Sequence, residues 1–150
     1  MEEVLLVDVT TVRAWIDKAT HDIEENKDHL THLDSAIGDA DHGVNLVRGF
    51  HAVGVALDEK QPATPGELLT TVGNALVSKV GGASGPLYGT AFRRAGKSLG
   101  TEPDVSPEAL GSALQAALEG VQGLGAATPG DKTMVDALAP AGREYPPAPS

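Results

Sequence analysis

The chain has no cysteine. A disulfide framework is therefore excluded, and so is a cysteine-built structural zinc site. Aromatic residues make up only 3%, so a core must be filled by Leu, Val and Ala. Positive charge is scarce as well: 11 Lys and Arg face 21 Asp and Glu, for a net charge of -10. That balance argues against a nucleic-acid backbone as partner. It does not argue against a nucleotide, whose charge a metal can carry. Long hydrophobic runs are missing too. Val4-Leu5-Leu6-Val7 is too short to span a membrane. The acidic Glu2-Glu3 before it is unlike the basic start of a signal peptide. We therefore expect a cytoplasmic protein with no membrane contact.

What remains is ordinary globular material. The 150 residues are 41% hydrophobic and 21% charged, enough for one domain with its own core. Strand-like alternation is also rare. Val4 to Val7 reads as a short strand or an extended lead-in, and a sheet there would lack partners. Helical spacing dominates instead. Asp8 or Thr10 can cap a first helix carrying Val12, Trp15, Ile16, Ala19 and Ile23 on its apolar face and running to about Leu33. A second begins at His42, with Val44, Val47, Phe50, Val53 and Leu57 inward. Thr64-Pro65-Gly66-Glu67 is a capping box with Pro at the first helical position. It opens a third helix burying Leu68, Leu69, Val72, Leu76 and Val80. A fourth carries Leu87, Tyr88, Ala91, Phe92, Ala95 and Leu99, with Arg93, Arg94 and Lys97 on its polar side. Gly100 to Val105 reads as a polar turn, and Ser106-Pro107-Glu108 starts a fifth helix with Leu110, Leu114, Leu118 and Val121 inward. Gly123 to Gly130 reads as a loop, followed by a short sixth segment from Lys132 to Leu138. Ala139 to Ser150 holds four of the ten prolines and cannot be a regular helix. The expectation is an all-α, up-and-down antiparallel bundle of about six helices over residues 1–140. A Pro-rich extended or disordered tail would follow over 141–150.

Chemistry concentrates between the first two helices, in Leu33-Asp34-Ser35-Ala36-Ile37-Gly38-Asp39-Ala40-Asp41-His42-Gly43-Val44-Asn45. Asp34, Asp39 and Asp41 offer carboxylates from both rims of one bend. Mg²⁺ prefers hard oxygen ligands and is commonly shared between carboxylates and substrate phosphates. Three such charges close together repel unless a cation joins them. The competing role for Asp39 and Asp41 is turn formation and helix capping. An EF-hand is excluded, because its sixth and twelfth positions counted from Asp39 would be Val44 and Phe50. A Walker A loop ending in Gly96-Lys97-Ser98 is excluded too, because its first glycine would fall at Ala91.

Gly81-Gly82-Ala83-Ser84-Gly85-Pro86 is the second such stretch. A glycine-rich loop entering a helix can cradle phosphate, and it can equally be a plain connection between helices. In an up-and-down array these two loops lie at the same end, as does the loop around Gly125 to Asp131. That placement favours one composite site over two unrelated turns.

With these residues in view, the chain resembles the ADP-binding L subunit of dihydroxyacetone kinase. Leu33-Asp34, Ile37 to Asn45 and Arg48-Gly49-Phe50 resemble its first motif. Gly82-Ala83-Ser84-Gly85-Pro86-Leu87-Tyr88-Gly89 resembles its second, and Gly130-Asp131-Lys132-Thr133-Met134-Val135-Asp136-Ala137-Leu138 its third. The resemblance implies a barrel of eight antiparallel helices with the nucleotide, ADP or ATP, at one mouth. It implies that Asp34, Asp39 and Asp41 bind two Mg²⁺. His42, Gly43, Val44, Asn45, Ala83 and Ser84 would contact the phosphates and nearby atoms, and Gly125 and Met134 would belong to the nucleotide pocket. No catalytic residue is implied on this chain beyond the metal ligands. The reaction implied is phosphoryl transfer to dihydroxyacetone held on a K subunit. The donor would be ATP, or bound ADP recharged by a phosphohistidine protein of the phosphotransferase system. The related fatty-acid kinase domain typically has Thr at the position of His42, which sets it aside.

Two departures qualify the resemblance. Leu124-Gly125-Ala126-Ala127 stands where the family usually has Arg-Gly-Lys-Ala, so two cations are absent. The family also continues for two more helices that carry nucleotide contacts. A C-terminally shortened chain would have an incomplete barrel with uncovered apolar faces. The alternative reading is accordingly a non-catalytic helical interaction module with impaired nucleotide binding.

Overall fold

The computed structural model describes residues 5–34, 42–80 and 84–125. The chain enters on a two-residue strand, β1 (Val7–Asp8), and runs into α1 (Val9–Glu25), α2 (Lys27–Asp34), α3 (His42–Lys60), α4 (Pro65–Lys79) and α5 (Ser84–Leu99). A second two-residue strand, β2 (Asp104–Val105), then leads to α6 (Pro107–Gly125). The all-α expectation holds. The expected sixth segment at Lys132–Leu138, the boundary at residue 140 and the Pro-rich tail lie outside the described residues.

Local chemistry sets the helix starts. Asp8 sits in an extended conformation and its Oδ1 accepts the Thr11 backbone N–H at 2.9 Å, capping α1. That bond holds the Asp8 carboxyl below its ordinary range. The capping box predicted at α4 also forms. Thr64 Oγ1 accepts the Glu67 N–H at 3.3 Å, while Glu67 Oε2 reaches back to the Ala63 N–H at 3.1 Å. Thr64 is itself buried. Thr64→Ala should therefore lower stability by about 1 kcal/mol, read as a lower denaturant midpoint with an unchanged slope. Ser106 caps α6 in the same way, its Oγ accepting from Ala109 N at 3.1 Å.

The structure corrects the sequence reading in several places. The single first helix is two helices that part at Asn26, whose backbone leaves the helical region (φ -104°, ψ 11°) and whose side-chain amide joins its own N–H on the Asp22 carbonyl at 2.8 Å. Both β1 and its partner are real: Val7 pairs with Val105 and Asp8 with Asp104 in antiparallel register. The expected turn at residues 100–105 thus includes a strand. α6 continues to Gly125 instead of ending before Gly123. Along α3 the buried line is Gly43, Leu46, Phe50, Val53 and Leu57, so Leu46 replaces the expected Val44, which is 46% exposed. Trp15, expected inward, is half-exposed.

The core lies in two parts. One joins α1, α3 and α4 through Val12, Ile16, Leu46, Phe50, Val53, Leu57, Leu68, Val72, Leu76 and Val80. The other joins α5, β2 and α6 through Ala95, Leu99, Val105, Ala113 and Ala117. Val7 and Leu69 pack against both. The seam between α4 and α5 is made by glycine. Gly66 lies against the Gly96 carbonyl and Gly73 against the Gly89 carbonyl, where a built Cβ would stand 2.9 and 2.7 Å from those oxygens. The helices therefore run antiparallel with their backbones in close approach. On the outside, Arg13 joins α1 to α3 by an ion pair with Asp58 at 3.0 Å, and His51 of α3 meets Glu24 of α1. Such exposed pairs orient helices more than they stabilise them.

Candidate functional site

The packing of the helix ends decides which loops share a rim. Val80, just past the end of α4, lies against Gly49 in the first half of α3 and against Gly85 at the start of α5. Gly120, near the end of α6, lies against Thr90 and Arg94 of α5, with a built Cβ 3.1 Å from Thr90 Cγ2. The start of α3, the end of α4, the start of α5 and the end of α6 therefore occupy one end of the bundle. This is the composite end expected from the order of the helices.

Several candidate residues stand at helix ends. Asp34 is the last residue of α2. His42, Gly43, Val44 and Asn45 form the first turn of α3, with Gly43 buried, Asn45 half-buried and Val44 46% exposed. Ser84 is the first residue of α5 and Gly125 the last of α6. Asp39, Asp41, Ala83 and Met134 lie outside the described residues. Among the described residues no group of three or more His, Cys, Asp or Glu could hold a metal ion.

The electrostatics of this end favour an anion. Two helices, α3 and α5, begin here, and the first turn of a helix leaves backbone N–H groups unpaired at the positive end of its dipole. Exposed Arg48 of α3 and Lys79 at the end of α4 have no carboxylate partner among the described residues. The glycine at position 85 has a structural reason as well. A Cβ there would press on the Val80 and Leu76 carbonyls, so α5 can start this close to the end of α4 only without a side chain.

Two concave features were not foreseen from the sequence. An apolar cavity of about 740 Å³ lies between α1, α2, α3, α5 and α6, with Trp15, Phe50, Tyr88, Phe92, Leu110 and Leu114 among its walls. Burial raises the Tyr88 hydroxyl above its ordinary pKa. No charged side chain lines this cavity among the described residues. A polar groove of about 1260 Å³ runs along the outside of α5. The sequence signal for the groove was the doubled seven-residue glycine spacing, Gly66 to Gly73 and Gly89 to Gly96. No helix among the described residues is long and apolar enough to cross a membrane.

Known proteins share these features. The DAK2 domain family matches residues 36–148. The ADP-binding subunit DhaL of PEP-dependent dihydroxyacetone kinase 1 from Listeria innocua is 44% identical over 126 residues, 84% of this chain and 63% of that one. The corresponding DhaL subunit from Escherichia coli is 39% identical over 131 residues, covering 87% and 62%. This chain thus spans less than two thirds of the length of these curated relatives. Among solved structures, the dihydroxyacetone kinase of C. freundii superposes with a TM-score of 0.76 at 28% identity over 94% of this chain and 26% of that one. The same kinase in complex with AMP-PNP and Mg²⁺ superposes with a TM-score of 0.72. On sequence and fold together, the chain belongs to the DAK2-domain family, that of the DhaL-type ADP-binding subunits of dihydroxyacetone kinase.

Proposed function

We propose that this chain carries a Mg²⁺-bound adenine nucleotide at the end of the bundle where α3 and α5 begin, as the nucleotide half of a dihydroxyacetone kinase. The observation that carries the reading is convergence. α3 begins at His42 and α5 at Ser84 on the end of the bundle towards which α6 runs to Gly125, and α2 ends at Asp34 before the connection to α3; this supports a shared rim. Its relatives are named as ADP-binding subunits, and a neighbouring structure holds AMP-PNP and Mg²⁺.

The residue types suit the group. Asp34, Asp39 and Asp41 supply the hard oxygen ligands that Mg²⁺ prefers, and they would hold two such ions. When bound, the metal neutralises the phosphate oxygens and fixes their geometry. The first turns of α3 and α5, with His42, Gly43, Val44, Asn45, Ala83 and Ser84, would donate N–H groups to the phosphates. Gly125 and Met134 would border the rest of the nucleotide. Phosphoryl transfer depends on positioning and charge neutralisation more than on covalent help. This chain therefore needs no general base of its own. The acceptor hydroxyl of dihydroxyacetone would be presented by a K subunit. The donor would be ATP, or bound ADP recharged by a phosphohistidine protein.

Calorimetry tests the binding half of the proposal. ADP titrated into the full chain with Mg²⁺ should bind, and binding should vanish after chelation. Absence of heat with Mg²⁺ present would remove the nucleotide reading and leave a helical interaction module. The transfer half is tested by adding a K subunit, dihydroxyacetone and ATP or a phosphohistidine donor, and measuring the triose phosphate formed.

A further inference from the structure

We propose that the groove on the outer face of α5 is a docking surface for an acidic segment of a partner protein. The groove lies between α4 and α6 and reaches Leu124 near the end of α6, and the inference is carried by the groove's own cations, not by the proposed nucleotide.

Its construction is specific. Arg93 and Arg94 are consecutive on α5, yet their stems leave towards opposite walls. The Arg93 Cγ lies over Gly73 of α4, and the Arg94 Cγ stands 2.8 Å from a Cβ built at Gly120 of α6. Each stem occupies a notch that exists because its neighbour has no side chain. Lys97 follows one turn later on α5, and Lys60 enters from the end of α3. All four cations are exposed.

This arrangement costs folding energy. Arg93 and Lys97 are four residues apart on one helix face and Arg94 and Lys97 three apart, and like charges at those spacings each cost about 0.2–0.5 kcal/mol. Arg13 is paired with Asp17 and Asp58, and Lys18 with Asp22. None of the four forms an ion pair among the described residues. The two acids lining the groove bond to neutral donors and form no ion pair with the four cations among the described residues. Glu67 accepts the Ala63 N–H, and Glu119 accepts the Gln115 amide at 3.4 Å. A chain of net charge -10 thus places four of its 11 Lys and Arg along one groove, beside two carboxylates among the described residues.

The chemistry favours a carboxylate-bearing polypeptide. Arginine forks bind carboxylates in bidentate fashion. The Thr70 and Thr90 hydroxyls and the Asn74 amide can bond a peptide backbone, and the glycine floor lets a chain lie close. A nucleic acid would offer phosphates in place of carboxylates, and its binding here is one of the outcomes that the test separates. A flat anionic membrane cannot follow a concave surface, and its usual apolar anchors are limited here to exposed Leu124.

The test uses the full chain and a fluorescein-labelled 12-residue peptide of repeating Glu-Ala-Ala-Glu, read by anisotropy. The peptide should bind at ~50 mM salt and weaken at ~200 mM, where screening is stronger. The double variant Arg93→Gln, Arg94→Gln should bind at least tenfold more weakly, about 1.4 kcal/mol. Lys18→Gln with Lys27→Gln, which removes the same charge from α1 and α2, should leave binding unchanged. If the double variant loses helicity by circular dichroism, the single exposed change Lys97→Gln should still weaken binding measurably. The proposal is overturned if the peptide does not bind at ~50 mM salt, or if the groove variants bind as the parent does. It is equally overturned if phosphatidylserine vesicles or a single-stranded oligonucleotide bind through these arginines while the peptide does not.

Discussion

Asp39→Ala is expected to abolish binding of Mg²⁺-ADP, with affinity falling at least ~100-fold, since even outer-shell changes at metal sites cost 10–100-fold. That loss is about 2.7 kcal/mol or more of binding free energy. The physical reason is that a nucleoside diphosphate brings its own negative charge to a carboxylate-rich bend. The two repel unless metal is held between them. Removing one ligand weakens the metal and therefore the phosphates, although Asp39 itself need never touch the nucleotide. Asp39→Asn separates charge from size, and it should behave nearly as the alanine variant does. Asp58→Ala is the matched control. It changes the net charge equally, but at a surface ion pair with Arg13 in the last turn of α3, away from the start of that helix. Exposed pairs are worth at most about 1 kcal/mol, and ADP affinity should be unaffected. Calorimetry on the three variants checks this, with helicity as the control for folding. Unchanged ADP affinity in Asp39→Ala would remove Asp39 from the metal site.

Much of this architecture was legible because its causes are local. Asp8, Thr64 with Glu67, and Ser106 bond to backbone groups three or four residues away, so residue type and spacing suffice to find them. The end of α2 at Asp34 and the start of α3 at His42 were legible from the glycine- and aspartate-rich stretch between two apolar-periodic segments. The sharing of one rim by three loops needed only the rule that short connections join antiparallel neighbours. The misses have the opposite character. Val7 and Val105 pair across almost the whole chain, and two-residue strands leave no periodicity to read. Leu46 and Val44 are both apolar and two residues apart, so the choice of inward face depends on which neighbour α3 meets. The break at Asn26 is a single residue leaving the helical region, at a position where the surrounding charges continue the helical pattern. The candidate ligands were identified by chemistry and by resemblance, whereas the groove on α5 depends on pairs of glycines from different helices.

Gly96→Val is the substitution expected to damage the fold most. Gly96 on α5 faces Gly66 and Thr70 on α4, and a built Cβ would lie 2.7 Å from both the Gly66 carbonyl oxygen and the Thr70 backbone nitrogen. Both are backbone atoms inside a helix and cannot rotate away. The two helices must move apart. Separation would open the contact that places Leu68, Val72 and Leu76, each at most 1% exposed, in the core. Overpacking a well-filled site costs about 1–3 kcal/mol, and an obstruction by backbone belongs at the top of that range. A domain of this kind has only about 5–15 kcal/mol in reserve, so the change is a large part of the total. Gly54→Val is the informative comparison. It lies in the interior of α3 with nothing within 4 Å of its built Cβ. Replacing a helical glycine with an unobstructed valine should be neutral or stabilising by a few tenths of a kcal/mol, because glycine is the poorer helix former. Urea unfolding of the two variants separates the readings. A large drop in midpoint for Gly96→Val beside none for Gly54→Val assigns the effect to the approach of α4 and α5. Equal midpoints would mean that the helices can part without loss.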